Sequence, residues 1–202
     1  MDISELGSSQ DSATKLTNAY LSQLLDYLDT YPNDGILYCA SDMILAAHSN
    51  AAYLNVSHAC SRAGAHIMLS EDTPIPSINA PILTISQIIK NGTSSAAEAE
   101  LLGLFICDKA MVPLRNTLTE MGWPQTSSPI QCGNSTAIGV TNNTMVNKIL
   151  KSMEIRLWWL RCRDSQDQFR CYWAPGNQNL ANNSTNDHPP PYHFSHRPTL
   201  SR

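Results

Sequence analysis

A short polar elbow follows an apolar run in the stretch SPIQCGNSTAIGV, residues 128–140. A strand that ends in such an elbow can present a catalytic side chain at the edge of a sheet, because functional residues concentrate in loops held by rigid elements. Gly133 occupies the position from which that side chain would project, and glycine has none. The stretch is therefore either an ordinary turn or a catalytic position without its functional group.

Carboxylates, histidines and cysteines are the other groups that could do chemistry. Glu98 and Glu100 open a helical pattern, where the helix macrodipole by itself accounts for a negative charge. The tail histidines His188, His193 and His196 lie in a proline-rich segment whose spacing preforms no zinc site. The six cysteines contain no CxxC pair, and since no secretory leader is expected we predict reduced, mostly buried thiols.

Composition indicates one globular core and no global basic field. The 202 residues are 42% hydrophobic and carry a formal net charge of −4. Residues 148–170 nevertheless hold six bases and three acids, so a polyanion would meet this region first. No apolar run is long enough to span a bilayer, and we expect a cytoplasmic or nuclear protein without a membrane partner.

Apolar spacing predicts the elements that would position these groups. Residues 12–29 have helical periodicity, and the following GILYCAS is predicted to be a short strand. The runs MILAAHS (residues 43–49), GAHIMLS (64–70) and ILTISQIIK (82–90) predict three strands in an antiparallel meander, because their connections are short.

The second half of the chain alternates between helix and strand. A helix begins after Ser94 or Ser95, and Pro113 either kinks it or starts another helix. PIQC is a fourth strand, residues 143–166 form a helix, and the alternating QFRCYW is a fifth strand. The predicted helix carries an apolar stripe that consists of Val146, Ile149, Leu150, Met153, Leu157 and Leu160. The order β-β-β-α-β-α-β-α predicts an α/β fold with a mixed sheet.

Six fragments in this order resemble the ribonuclease H domain of copia-type retrotransposon polyproteins. They are MILAAHSNAAYL, SSAAEAELLGL, QCGNSTAIGVTNN, KSMEIRLWWLR, FRCYWAPGNQNLANNSTNDHPP and the preceding LSQLLDYLDTYPNDGILYCAS. The last of these is similar to the segment that connects such a domain to the reverse transcriptase. The resemblance covers residues 16–198 and implies a ribonuclease H-like mixed five-stranded sheet, with an ancestral reverse transcriptase domain in cis as partner.

The resemblance also implies the site and its chemistry. The family hydrolyses RNA paired with DNA, using two Mg²⁺ ions held by three Asp and one Glu. Carried over residue by residue, these positions fall on Asn50, Glu100, Gly133 and Asn182, with Glu98 as the weaker choice for the glutamate. Glu100 is the one surviving carboxylate, so we expect Mg²⁺ binding and catalysis to be lost.

Hybrid binding is expected to involve basic residues in the fourth fragment and just before it. Lys148, Lys151 and Arg156 are the predicted nucleic-acid contacts, whereas Trp158, which replaces the family's usual His, and Trp159 are expected to be covered. The predicted boundaries are a disordered segment 1–12, a connecting helix and short strand 13–41, the ribonuclease H-like domain 42–185, and an extended Pro/His-rich tail 186–202.

Two alternatives stay open at this point. The chain could be an active hybrid nuclease whose ligands have moved to Asp42, Asp108 or Asp187. It could instead be a binding module that holds nucleic acid or a protein without cutting. Mg²⁺ titration separates the first alternative from a degraded enzyme, and salt-dependent hybrid binding separates the second.

Overall fold

A computed structural model describes residues 6–7, 9–142, 153–186, 188 and 191–192. The chain divides into two compact units. Residues 39–186 hold the sheet, and the other unit draws on residues 1–38 and 187–202. In the second unit, helix α1 (Lys15–Thr30) confirms the helix predicted near the N-terminus. It begins with a capping box in which the Thr14 and Thr17 side chains satisfy each other's backbone N–H groups.

Five strands form one mixed sheet in the order β3-β2-β1-β4-β5. The strands are β1 (Ile44–Val56), β2 (Cys60–Ser70), β3 (Pro81–Ile89), β4 (Ser128–Cys132) and β5 (Phe169–Trp173). The first three pair antiparallel, which confirms the predicted meander. β4 joins β1 and β5 joins β4 in parallel, so the middle of β1 lies at the centre of the sheet.

β1 is longer than its apolar pattern predicts. The sequence indicates residues 43–49, but pairing with β2 continues through Ala52 opposite Arg62 and resumes at Val56 opposite Cys60. A single-turn 3-10 helix, Ser57–Ala59, connects the two strands. Backbone pairing with a neighbouring strand extends β1 past the end of its apolar run, because a ladder needs hydrogen-bonding groups and not apolar side chains.

Helix α2 (Ala96–Glu120) crosses β1 and β2 and covers one face of the sheet. Ser95 begins it, because its side chain accepts a hydrogen bond from the Glu98 N–H at 3.2 Å. Pro113 lies inside a single continuous helix, so the alternative of a second helix starting there is wrong. The helix buries Leu101, Leu104 and Met111 among the core residues of the sheet.

The chain between β4 and β5 contains α3 (Ser135–Thr141) and α4 (Glu154–Ser165). The sequence predicts one helix over residues 143–166, and α4 accounts for the later part of it. Residues 143–152 lie outside the described residues, and so do the predicted stripe members Val146, Ile149 and Leu150. After β5, two 3-10 turns (Gly176–Gln178 and Leu180–Ser184) replace the short helix expected there.

GILYCAS forms no strand, and that prediction is wrong. Its first apolar residues, Ile36, Leu37 and Tyr38, are exposed, and a single bridge at Ile36 is all the pairing it has. Cys39 is held instead by the Asn79 side chain, which accepts from the Cys39 N–H at 2.9 Å and donates to its carbonyl at 3.0 Å. One amide side chain thus supplies the two hydrogen bonds that a partner strand would supply.

Other expectations are met in part. Gln10–Ser12 form a 3-10 turn inside the segment predicted to be disordered. The six cysteines are all free thiols, as predicted. Three of them, Cys107, Cys132 and Cys171, are buried, Cys60 is half-buried, and Cys39 and Cys162 are exposed, so the prediction of mostly buried thiols holds for half of them.

The described part of the apolar stripe on α4 faces the core. Met153 and Leu160 are buried in the main cluster, and Leu157 packs against it. Trp159 also packs there, with its ring edge-to-face on Phe105 at 5.3 Å. Trp158 is 62% exposed, so the expectation that it is covered is wrong.

The burial of α4 predicts the effect of truncating its core residue. Leu160 is 2% exposed, and Leu160→Ala should lower the free energy of unfolding by roughly 2–5 kcal/mol, since it removes buried surface and leaves a cavity. Urea denaturation measures this change. Ile155→Ala on the same helix is the control, because Ile155 is 86% exposed and its truncation should change stability by less than about 0.5 kcal/mol. Equal effects of the two substitutions would contradict this packing of α4.

Candidate functional site

Asn50 lies in β1 at the centre of the sheet, opposite Gly64 of β2. The preceding residue, Ser49, pairs with Cys132 at the end of β4, so Asn50 is placed next to the elbow that carries Gly133. Asn50 is buried. The parallel register of β1 and β4 therefore brings together two of the positions that the resemblance singled out.

The Asn50 side chain is a hydrogen-bond donor to the C-terminal turn, which we define as residues 179–186. Its Nδ2 donates to Asn182 Oδ1 at 3.3 Å and to Thr185 Oγ1 at 2.5 Å. Asn186 Nδ2 donates to the same two oxygens, at 2.5 and 3.2 Å. Asn50, Asn182, Thr185 and Asn186 form a neutral network, which we call the amide cluster.

The C-terminal turn lies directly on the sheet because Gly64 has no side chain. A Cβ at Gly64 would come within 2.6 Å of Thr185 Cγ2 and 2.8 Å of the Ala181 carbonyl oxygen. Further hydrogen bonds come from the sheet: Asn55 Nδ2 donates to the Thr185 carbonyl, and Ser86 Oγ donates to the Ser184 carbonyl at 2.8 Å. The turn is thereby held by β1 and β3 as well as by the face of β2.

Two contacts at the start of the turn complete its attachment. Asn179 Nδ2 donates to the Ser49 carbonyl at 2.8 Å, and the Leu180 N–H donates to His48 Nδ1 at 3.1 Å. Burial, and then the neighbouring His66, lower the pKa of His48 to about 4. The His48 ring is therefore neutral near pH 7, as it must be for Nδ1 to accept a hydrogen bond.

Glu100 reaches the same site from α2. Gly103, one turn further along the same helix face, lets α2 approach β1 closely, since a Cβ there would lie 3.2 Å from the Asn50 carbonyl oxygen. The Glu100 carboxyl accepts a hydrogen bond from the Ala51 N–H and lies 3.8 Å from Cys132 Sγ. Ala51 and Cys132 are the chain neighbours of Asn50 and Gly133, so Glu100 is adjacent to both positions.

The Glu100 carboxyl is buried with no cation beside it in the described part of the chain. Burial raises its pKa to about 7, although the Ala51 and Cys132 hydrogen bonds act in the opposite direction. Burial, and then the Glu100 charge, raise the pKa of the Cys132 thiol. Near neutral pH a large share of Glu100 is consequently protonated and carries no charge.

Gly133 adds no side chain to the site. Among the described residues outside its chain neighbours, a Cβ built on it would meet one atom within 4 Å, Asn50 Oδ1 at 3.8 Å, so the position is open. The next residue, Asn134, begins α3 by accepting hydrogen bonds from the Thr136 and Ala137 N–H groups. Trp173 at the end of β5 donates its indole N–H to the Gly133 carbonyl at 3.2 Å.

The structure brings Asn50, Glu100, Gly133 and Asn182 together at one site, although 132 residues separate the first from the last. The structure does not place the predicted nucleic-acid-binding residues at this site. Lys148 and Lys151 lie outside the described residues, and Arg156 on α4 donates to Asn91 Oδ1 at 3.3 Å and stacks over Phe105.

The alternative ligands do not join this site where they are described. Asp42 lies two residues before β1, whose run from Ile44 to Asn50 is by itself about 20 Å long, and its carboxylate accepts a hydrogen bond from the Asp72 N–H. Asp108 is two turns beyond Glu100 on α2, about 12 Å away along the axis, and is buried. Asp187 lies outside the described residues, and so do His193 and His196.

The donor set does not fit two Mg²⁺ ions. Magnesium prefers several anionic oxygens, and among the described residues the site offers one carboxyl, a large share of which is protonated near neutral pH. The Asn182 oxygen accepts from two amides, and Gly133 offers no side-chain ligand. Within the described residues, no group of three or more His, Cys, Asp or Glu side chains is placed to hold a metal ion.

Four residues of the site escape identification from the sequence. They are Gly64, Gly103, Thr185 and Trp173. Gly103 has a signal, because it follows Glu100 at helical spacing and small residues mark close packing. The other three act through contacts between distant segments, and no local pattern reports such contacts.

Comparison with solved structures identifies the fold. LC11-RNase H1, isolated from compost by a metagenomic approach, superposes with a TM-score of 0.53 at 10% identity, over 71% of this chain and 93% of that chain. The same enzyme in complex with an RNA/DNA hybrid gives 0.51 at 9% identity, over 70% and 93%. The N-terminal RNase H domain of rv2228c from Mycobacterium tuberculosis gives 0.50 at 15% identity, over 76% and 98%.

No protein-family model and no curated protein matches the sequence. Because the identities are low, the superpositions establish architecture alone: the chain has a ribonuclease H-like α/β fold, as the sequence predicts. Among the described helices, none combines the length and the hydropathy that crossing a membrane requires.

The contact between Gly64 and the C-terminal turn predicts the effect of adding one methyl group. Gly64→Ala should lower the free energy of unfolding by roughly 1–3 kcal/mol, because the turn must move away from the sheet. Gly92→Ala is the matched control, since a Cβ at Gly92 would meet no described atom within 4 Å. This substitution should change the free energy of unfolding little. Thermal and urea denaturation measure both. A harmless Gly64→Ala would contradict the docking of the turn.

The raised pKa of Glu100 predicts how stability depends on pH. Between pH 4.5 and about 7 the unfolded chain loses the Glu100 proton before the folded chain does, so the free energy of unfolding falls as pH rises. Glu100→Gln cannot ionise and escapes this loss. At pH 8 it should be more stable than the unaltered chain by about 1–3 kcal/mol, and this advantage should vanish near pH 4. Urea denaturation at both pH values measures the difference, and an equal effect at both would contradict the burial of a protonated carboxyl.

Proposed function

We propose that the chain is a ribonuclease H-like domain of the copia-type retrotransposon lineage that has lost hydrolysis of RNA in RNA–DNA hybrids. The ribonuclease H-like fold supports the lineage in its coarse form, and the six ordered sequence fragments support the copia-type assignment. The ancestral cofactor is Mg²⁺, the ancestral substrate is the hybrid, and the ancestral partner in cis is a reverse transcriptase domain.

One observation carries the proposed loss of activity: the hydrogen bond from Asn50 Nδ2 to Asn182 Oδ1. Two ionised carboxylates at 3.3 Å would repel each other and would need a proton or a cation between them. An amide donor and an amide acceptor attract each other without either. The hydrogen bonds of the amide cluster therefore hold Asn50 and Asn182 together, a task that metal ions would perform if both residues were carboxylates.

The active-nuclease alternative has less support. It requires a replacement carboxylate within a few tenths of an ångström of a metal-binding position. Asp108 lies about 12 Å from Glu100 along α2. Asp42 lies before β1, more than about 20 Å along the chain from Asn50, and accepts a hydrogen bond from the Asp72 N–H. Glu100 alone supplies too little negative charge for two divalent cations.

The proposal predicts that the purified chain does not cleave an RNA–DNA hybrid with Mg²⁺ or Mn²⁺. The triple reversion Asn50→Asp, Gly133→Asp and Asn182→Asp should create a site whose carboxylates repel one another until a cation binds. Mg²⁺ at concentration [L] should therefore raise the free energy of unfolding of this variant by RT ln(1 + [L]/Kd), and its melting temperature should rise. The melting temperature of the unaltered chain should not change on addition of Mg²⁺. Single reversions should give little response, because the ligands act as a unit.

Adding Glu100→Gln to the triple reversion is the matched control, because it removes one ligand and should weaken the response to Mg²⁺. Cleavage is followed with a labelled hybrid, and binding by the Mg²⁺-dependent shift in melting temperature. Hybrid cleavage by the unaltered chain that Glu100→Gln abolishes would overturn the proposal in favour of an active nuclease.

A further inference from the structure

The space that a side chain at Gly133 would occupy is open and borders one polar atom; we call this space the Gly133 hollow. Apart from the chain neighbours of Gly133, the nearest described atom to a Cβ there is Asn50 Oδ1, at 3.8 Å, and no other atom of the described residues lies within 4 Å. The Asn50 Nδ2 group is already used by Asn182 and Thr185, which fixes the amide with its oxygen toward Gly133. The hollow therefore presents a hydrogen-bond acceptor, and a ligand that fits it must carry a hydrogen-bond donor.

An aromatic ring stands beside this hollow. Trp173 pairs with Cys132 across β4 and β5, and its indole N–H donates to the Gly133 carbonyl at 3.2 Å. That hydrogen bond uses the one polar atom of the ring and holds the ring at the site, yet 54% of Trp173 is exposed. A fixed, exposed aromatic ring with no remaining polar group offers a flat surface for stacking.

We propose that the Gly133 hollow binds an unpaired nucleobase of single-stranded nucleic acid. The base stacks on Trp173, and an N–H group on its edge donates to Asn50 Oδ1. This inference rests on the proposed function, because it assigns a ligand to the same site after the loss of its carboxylates. Trp173 and Gly133 are the residues that define the ligand: the first supplies the stacking surface and the second leaves the space.

The chemistry of the hollow favours a base over the other ligands that could meet this site. A divalent cation would find one carboxyl and no second anionic ligand among the described residues. A phosphate would meet the Asn50 oxygen, which cannot donate to an anion, and the ionised share of Glu100, which repels one. A base is uncharged and planar, and every base has both a π-face and an N–H donor.

Single strands satisfy this geometry and paired strands do not. In a duplex or a hybrid the N–H edge of each base is occupied by its partner, and both faces are covered by stacked neighbours. A base that enters the hollow must therefore be unpaired. We expect the chain to prefer a single-stranded oligonucleotide over the same sequence in an RNA–DNA hybrid.

The test measures binding of fluorescently labelled single-stranded oligonucleotides, homopolymers of adenine and of thymine, to the full chain by fluorescence anisotropy. Trp173→Ala should weaken binding roughly fivefold to hundredfold, the effect of losing one base–aromatic stack. Trp173→Phe keeps a stacking ring and should retain most of the affinity. Gly133→Val fills the hollow and should weaken binding while Trp173 is intact. Far-UV circular dichroism establishes that each variant is folded.

Trp123→Ala is the matched control. Trp123 is exposed to a similar extent, 46%, but it follows the far end of α2, roughly 30 Å along the helix from Glu100. Its truncation should leave binding unchanged. Titrations at low and at physiological salt separate stacking from general attraction to phosphates. The affinity that comes from phosphate contacts falls steeply with salt, whereas the ratio of the dissociation constants of Trp173→Ala and the unaltered chain should stay the same.

Three results would overturn the inference: no binding of any single strand, equal loss in Trp173→Ala and Trp123→Ala, or a preference for the hybrid that is independent of Trp173. None of these results contradicts the proposed function, because that proposal is tested by hybrid cleavage and by the effect of Mg²⁺ on the melting temperature of the triple reversion. Conversely, hybrid cleavage by the unaltered chain would overturn the proposed function, whatever the Trp173 variants do.

Discussion

The hydrogen bonds from the Asn50 amide to Asn182 and Thr185 are the interaction on which this site depends. They join the central strand of the sheet to the C-terminal turn, two segments that are far apart in the chain. The turn can accept them because Gly64 lets it lie against β2, with two backbone-directed amides at its ends, from Asn55 and Asn179. Because the donor and acceptors are neutral, no counter-ion is needed to hold the segments together.

The same neutrality means that the hydrogen bonds of the amide cluster hold without a bound cation. In a two-metal site, carboxylates cluster only because cations offset their repulsion, so metal binding and local structure are coupled. Here direct hydrogen bonds within the amide cluster hold the segments together, and burial shifts the Glu100 carboxyl toward its uncharged form. The sheet register that aligns β1 with β4 does not depend on the side chain at position 133, which is why Gly133 is compatible with an intact elbow.

Sequence patterns predicted those elements whose signal is local. The meander, the capped helix after Ser95 and the alternating strand β5 were predictable because burial on one face imposes a period on apolar residues. The sequence patterns failed where strand formation depends on pairing with a neighbouring strand. GILYCAS has strand-like composition but lacks a partner strand, and β1 continues past its apolar run because β2 lies beside it. The seven-residue α3 is too short to show a helical period.

For the site, the sequence by itself determined which functional groups are present: one carboxyl at Glu100, amides at Asn50 and Asn182, and no side chain at Gly133. Only the tertiary structure decided how these groups interact. The direction of the Asn50 amide, the raised pKa of Glu100 and the position of Trp173 over the Gly133 carbonyl all follow from contacts between segments that are distant in sequence. Hydrogen-bond direction and desolvation depend on atoms in space, and a one-dimensional order of residues does not contain them until the chain has folded.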